Sequence, residues 1–414
     1  MKISTSKFYV YLLLLVIFLQ LYLPSFKLNV IIQLIVLIFI ALTNNFILTK
    51  KFIKEIIPLV IVFFIGFLGL FLFQNKLYNT FKDLSHFIKP LSGIFVGYLL
   101  ARKINDFSVF IRGIVFLGVF SACIHFVTIL FFSGLDTVSQ IREFGKDNFL
   151  ELFALFFLIY YEKFQHKKLF FNKLNHNIVV VVLVLSCLLY LSRTMMVVTL
   201  VLLFSIYNYT KITKKTIQLF VTLCIAVVLF YSYLFSVKID RNGTGIEPFL
   251  YKVKIAPEEI FTAKIDRENH KDLWDHWRGY EAKRAFALME KNPSSYVFGT
   301  GYGSLVNLKF YAPLSGDKKG MKYISDLHNG YIYIFYKTGI ISLFIYLFFL
   351  FKLYKRAYLK STYSTAFISA FGIIYLFSTL TITGVYNSRD IIIILLGAFL
   401  FFESNNINNV PDRK

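Results

Sequence analysis

Apolar residues in this 414-residue chain come in blocks of about 20, separated by short polar stretches. A helix of that length crosses a hydrocarbon core of roughly 30 Å. Twelve blocks predict twelve spans: 8–23, 28–48, 53–73, 84–101, 108–132, 148–161, 178–191, 194–208, 216–236, 327–351, 362–382 and 388–402. The first run, Phe8 to Leu23, has no small-residue cleavage site after it and reads as a retained span. Blocks 148–161 and 178–191 are short for a crossing, so they extend into their flanks or tilt little. Pro58 and Pro90 fall inside spans, where a neighbouring group must satisfy the carbonyl each proline frees. The expected fold is an all-α polytopic membrane protein with about 12 transmembrane helices. One large, partly helical outer loop separates helices 9 and 10. The organisation follows as 1–236 for spans one to nine, 237–326 for the loop domain, 327–402 for spans ten to twelve and 403–414 for a tail.

Composition agrees: 57% of residues are hydrophobic and only 16% are charged. The net charge of +22 would ordinarily suggest nucleic acid. Its placement argues otherwise. Lys and Arg number 21 in alternate segments that include both termini, against 7 in the intervening short segments. The positive-inside bias then puts both termini in the cytoplasm and 237–326 outside, with lipid as the surrounding partner and no nucleic acid. Cys123, Cys187 and Cys224 sit in apolar blocks without CxxC or a Cys/His cluster, and read as small buried hydrophobes.

The outer segment holds 12 of the 23 acidic residues and is long enough to be functional. Trp274, Trp277, Ala285 and Leu288 recur at helical spacing over 272–291, and Asn292-Pro293 ends that helix. FGTGYGS at 298–304 lacks the strand–turn–helix context of a nucleotide loop and reads as a tight turn near the membrane.

A few ionisable groups stand where charge is costly. Arg193 interrupts two apolar runs, with Ser192 and Thr194 as its polar company and no acidic residue nearby. It is either a snorkelling anchor or a functional cation whose partner is an anionic ligand or a distant part of the fold. Arg389 opens the last span beside Asp390, which is a ready counterion. Arg278 could form a surface pair with Glu281, three residues on. Lys89 lies in the apolar setting of span four, within reach of the outer surface. His328 and Asn329 stand at the polar–apolar boundary after the outer segment. There a histidine either caps a helix, binds a headgroup or performs chemistry on a lipid-borne substrate. The outer candidates are cations and a histidine, with no DxD or HExxH, and with no carboxylate pair in the first outer loop, which holds only Lys27. A metal on a diphosphate wants oxygen ligands, whereas arginines stabilise a departing diphosphate by bidentate hydrogen bonds. No metal and no cofactor are expected.

Three stretches carry a family resemblance: LSRT at 191–194, WRGYEAKRAF through FGTGYGS at 277–304, and LHNGYIYIFYKTGIISLF at 327–344. With the span count and the large outer segment, the chain resembles the bacterial O-antigen ligase and O-antigen polymerase family. The resemblance implies a metal-independent, C-type glycosyltransferase fold in the cytoplasmic membrane. Its donor would be an undecaprenyl-diphosphate-linked glycan and its acceptor a glycan or a lipid core. It implies that Arg193 and Arg278 bind the donor diphosphate and that His328 acts at the transferred sugar. Arg389, Lys89, Asn329 and Glu281 are secondary candidates for substrate binding. The motifs do not separate ligase from polymerase; FGTGYGS and KTG at 337–339 lean towards polymerase. A flippase or exporter of lipid-linked sugars is the alternative of another class, and it would place charges along a path at mid-span.

Overall fold

The computed structural model describes residues 5–23, 25–43, 47–73, 75–132, 141, 149–170, 173–190, 192–241, 243, 245–261, 266, 269–314 and 320–405. Leu191 of the LSRT stretch, Arg142, Lys146, Glu268, Asp317, the outermost N-terminal residues and the tail beyond 405 lie outside these residues. Each of the twelve apolar blocks coincides with a helix: α1 (Thr5–Tyr22), α2 (Phe26–Thr43), α3 (Lys50–Leu72), α4 (Leu77–Ile104), α5 (Phe107–Phe132), α6 (Leu150–Gln165), α7 (Lys173–Leu189), α8 (Arg193–Ile206) and α9 (Lys214–Ser236), then α15 (Gly330–Tyr354), α16 (Tyr363–Ile382) and α17 (Ile392–Ser404). Among the described residues, seven are long and apolar enough to cross a membrane: α2, α3, α4, α5, α9, α15 and α16. α1, α7, α8 and α17 are apolar but shorter, so a count of twelve crossings goes beyond what the helix lengths establish.

The segment between α9 and α15 is helical and, unexpectedly, partly β. It contains α10 (Glu247–Lys254), α11 (Ala256–Phe261), α12 (His270–Asp275), α13 (Trp277–Met289) and α14 (Ser295–Phe298). β1 (Val306–Ala312) then pairs antiparallel with β2 (Met321–Ile324), with Val306 opposite Ile324 and an irregular register between Asn307 and Ala312. The all-α expectation therefore needs correcting by one hairpin. Val306, Leu308 and Phe310 alternate at the period of a strand and pack into the core. The helix expected over 272–291 forms as α12 and α13, interrupted at His276, and buries Trp277 and Ala285 as its spacing required. The cysteines also depart from expectation. Cys123 and Cys224 are exposed on the bundle and Cys187 is half-buried, because an apolar block in a membrane helix has an outward face as well as an inward one.

α4 is the central helix. In its most apolar stretch 78% of residues are buried, against 6% in α9. Glycines let α4 and α17 meet backbone to backbone: a Cβ on Gly97 or on Gly397 would collide with a carbonyl of the facing helix. α15 is broken at Gly339, whose φ of 79° is a left-handed conformation. The glycine-rich turn fills the break. Thr300 N donates to the Tyr336 carbonyl at 2.7 Å and Gly301 N to that of Lys337 at 3.0 Å, so the interrupted helix keeps its polar backbone satisfied. Beneath the turn, Lys337 Nζ meets Asp83 Oδ2 at 2.6 Å, both side chains fully buried, and Gly303 N donates to the same oxygen at 2.6 Å. The turn thus fastens the outer segment to α3, α4 and α15 at once.

Candidate functional site

A cavity of about 730 Å³ opens where α2, α4, α13, the residues before α15 and the turn between α16 and α17 converge. Lys27, Lys82, Arg278 and Arg389 line it, with Asp326 as its carboxylate among the described residues. Four cations against one anion give it a strong positive field, focused by apolar walls such as Phe26 and Tyr386. His328 and His86 complete its ionisable lining.

His328 precedes α15, and its ring is held by one partner. Glu281, on α13 and 2% exposed, accepts from the His328 backbone N at 2.9 Å and from Nδ1 at 3.0 and 3.1 Å. Because a carboxylate only accepts, Nδ1 carries the proton and neutral His328 presents Nε2 as the basic nitrogen. The side chain is 57% exposed. The hydrogen bond to Glu281 holds its pKa above that of an ordinary histidine, against opposing effects of burial and of Arg278.

Glu281 therefore does not pair with Arg278, as the three-residue spacing suggested, and it is too buried to touch a ligand. α13 sends the two side chains in different directions. Arg278 Nη1 instead meets Glu259 Oε2 on α11 at 2.8 Å. Arg193, at the start of α8, reaches the same carboxylate: Nη2 lies 3.1 Å from Oε1 and 3.3 Å from Oε2, and Nη1 donates to the Lys252 carbonyl. Its partner comes from a distant part of the fold, 66 residues away. Arg193 is not among the residues lining the cavity, whereas Arg278 is.

The remaining candidates divide. Arg389 lines the cavity. Asp390 does not neutralise it: its carboxylate accepts from Tyr375 OH at 2.6 Å and Ile392 N at 3.0 Å. Lys89 does not reach the surface. It is fully buried and its Nζ donates to the Asn387 carbonyl at 2.6 Å, tethering the turn that carries Arg389. Asn329 caps α15, its Oδ1 accepting from Tyr331 N and Ile332 N. These two support the cavity's wall and do not line it.

Sequence reading missed Lys82, His86 and Glu259. Lys82 Nζ lies 2.6 Å from Ser325 Oγ and 3.1 Å from Asp326 Oδ2, and the His86 ring stacks on Phe26 at 3.8 Å. Lys82 and His86 sit one helical turn apart on α4, a spacing that puts both on one face. Glu259 carried no signal, being one of many acidic residues in the outer segment.

No curated protein matches the chain. Residues 178–347 match the family model described as O-antigen ligase. The match spans the motif stretches at 191–194, 277–304 and 327–344, and it holds Arg193, Glu259, Arg278, Glu281 and His328. Helices α1 to α6 precede it, and α16 and α17 follow it. Over 178–347, then, the chain is similar to the O-antigen ligase family.

Proposed function

We propose that the protein is a glycosyltransferase of the O-antigen polymerase type. It would act at the outer face of the cytoplasmic membrane, with both termini cytoplasmic, on undecaprenyl-diphosphate-linked oligosaccharide units. The observation that carries this reading is one cavity lined both by His328, whose Nδ1 is held by a carboxylate, and by an excess of cations. The first suits a hydroxyl nucleophile and the second a diphosphate leaving group.

The acceptor sugar's hydroxyl oxygen attacks the anomeric carbon of the donor glycan. The bond from that carbon to the diphosphate oxygen breaks, and the electron pair leaves with the diphosphate. The hydroxyl proton passes to His328 Nε2. Direct displacement inverts the anomeric centre. Arg278 and Arg389 face the diphosphate as its charge grows, with Lys82 and Lys27 adding to the field. Glu281 keeps His328 in the tautomer that accepts the proton and stabilises the imidazolium that forms. No metal enters the step. A transporter would need charge along a mid-span path; the cations here gather at one end of the bundle, beside the outer segment.

The test is deletion of the gene, with the surface glycan resolved by size on a gel. Loss of the ladder, leaving one repeat unit on the acceptor lipid, is the expected result. Long glycan accumulating on the polyprenyl carrier with bare acceptor would replace polymerase by ligase. An unchanged ladder would overturn the enzyme reading for that glycan.

A further inference from the structure

Arg193 and Arg278 differ in position although both approach one carboxylate. Arg278 lines the cavity; Arg193 and Glu259 stand behind it. Arg193 is fixed on two sides, by the Lys252 carbonyl and by both oxygens of Glu259. Glu259 is 12% exposed and has its other contact on Arg278. Arg278 Nε is buried and has no hydrogen-bond partner among the described residues. The cation that faces the cavity is therefore incompletely engaged, and the carboxylate behind it is shared.

From this arrangement we infer that Glu259 is a positioning residue through which Arg193 acts on the donor site by way of Arg278. The inference rests on the donor reading above. Two guanidinium groups this close repel one another without a counterion. Glu259 cancels one of the two charges and holds Arg278 by Nη1, so that the accessible part of the guanidinium, which does not include the buried Nε, is left to the cavity. Arg193 fixes Glu259 in turn, its Nη2 reaching both carboxylate oxygens while Nη1 holds the Lys252 carbonyl. Arg193 needs no contact with the donor to matter. Removing it frees Glu259 to collapse onto Arg278 and cancel the charge meant for the diphosphate. Removing the charge of Glu259 lets Arg278 swing away from Arg193. Either change disorders the same guanidinium.

The test measures binding of undecaprenyl diphosphate to the purified full chain in detergent, with melting temperature followed for every variant. Glu259→Gln and Arg193→Ala are each expected to raise Kd about tenfold, the loss of about 1.4 kcal/mol, with melting little changed. The double variant is expected to fall within about threefold of the worse single variant. Multiplied losses, near a hundredfold, would mean independent contacts and overturn the inference. Tighter binding by Glu259→Gln would also overturn it, since Glu259 would then be competing with the donor. If Glu259→Gln does not accumulate folded, the Arg193→Ala and Arg278→Ala pair decides. Arg193→Ala is expected to add little once Arg278 is gone, and a full additional loss overturns the relay. Arg278→Ala is the reference: an unchanged Kd there defeats the donor reading itself, whereas a loss confined to Arg278→Ala defeats only the relay.

Discussion

Beside the segment between α9 and α15 two arginines share one carboxylate; at the far end of α15 one arginine is shared by two. Arg356 donates Nε to Glu403 Oε1 at 2.9 Å and Nη2 to Oε2 at 3.3 Å. Nη2 also lies 3.3 Å from Glu55 Oε1, and Nη1 donates to the Lys352 carbonyl at 3.1 Å. All three of its nitrogens are engaged, and it is 6% exposed. Arg278 in contrast keeps a buried Nε without a partner among the described residues and faces a cavity rich in cations. Both clusters are arginine–carboxylate networks at helix ends, and sequence alone gives them equal standing. The completeness of the guanidinium's partners distinguishes them. Arg356 ties α3, α15 and α17 together, while Arg278 has one nitrogen on Glu259 and lines the cavity.

That contrast predicts opposite signatures when each cluster is broken. His328→Ala, beside the outer cluster, is expected to have the largest effect, lowering turnover by about 10²–10⁴-fold with melting nearly unchanged; a turnover assay on purified protein checks it. Arg356→Ala leaves Glu55 and Glu403 with little solvent and with Lys352 at 3.5 Å and Lys51 at 3.3 Å as their remaining cations. It is expected to cost about 3–5 kcal/mol of stability, seen as lost accumulation and a lowered melting temperature. Arg278→Ala removes a charge-assisted contact worth about 1.5–3 kcal/mol to a ligand, so Kd for undecaprenyl diphosphate rises roughly ten- to 150-fold while the fold survives. If Arg278→Ala instead unfolded the protein and Arg356→Ala did not, the contrast between site and scaffold would be reversed.

Smaller effects sharpen the same picture. His328 is basic only when neutral, and Glu281 holds its pKa above the ordinary histidine value. Activity should therefore rise with pH through that raised value. Glu281→Gln lets the pKa fall, so the acidic limb of the pH–rate profile moves to lower pH while the maximum drops. A limb that stays in place would separate His328 from the titration. Lys51→Ala, removing a half-exposed lysine 3.3 Å from Glu403, which keeps Arg356 as its partner, is expected to change stability by about 0–1 kcal/mol.

The twelve helices were legible because each apolar block is long and bounded by charge, so the signal is local. His328 was legible for the same reason, as a polar residue at the edge of such a block, and Arg193 as a charge inside one. The partners were not. Glu259 meets Arg278 across 19 residues and Arg193 across 66, and Glu281 meets His328 across 47; no periodicity links such positions. The expected Arg278–Glu281 pair failed because spacing along a helix says which side chains are neighbours and not which stronger partner lies across the gap. Lys89 misled in a related way. Its apolar surroundings marked it as costly, and the return is a buried bond to Asn387 that shapes the Arg389 turn. The β hairpin was not read from the sequence: Val306, Leu308 and Phe310 alternate at strand period, but only over a short stretch, and β2 is four residues long.

Asp83 and Lys337, which meet in the core, are made far apart in time. The two residues are separated by 254 positions, and a ribosome adding about 5–20 residues per second needs roughly 13–50 s to pass from one to the other. Throughout that interval α4 carries an acidic side chain whose lysine does not yet exist. Gly303, which donates to the same carboxylate, arrives only a little earlier. This heavily buried helix is thus made early and completed late. Completion of the cavity waits on the last quarter of the chain, which supplies Asp326, His328 and Arg389 to its lining and Lys337 to Asp83 beneath it.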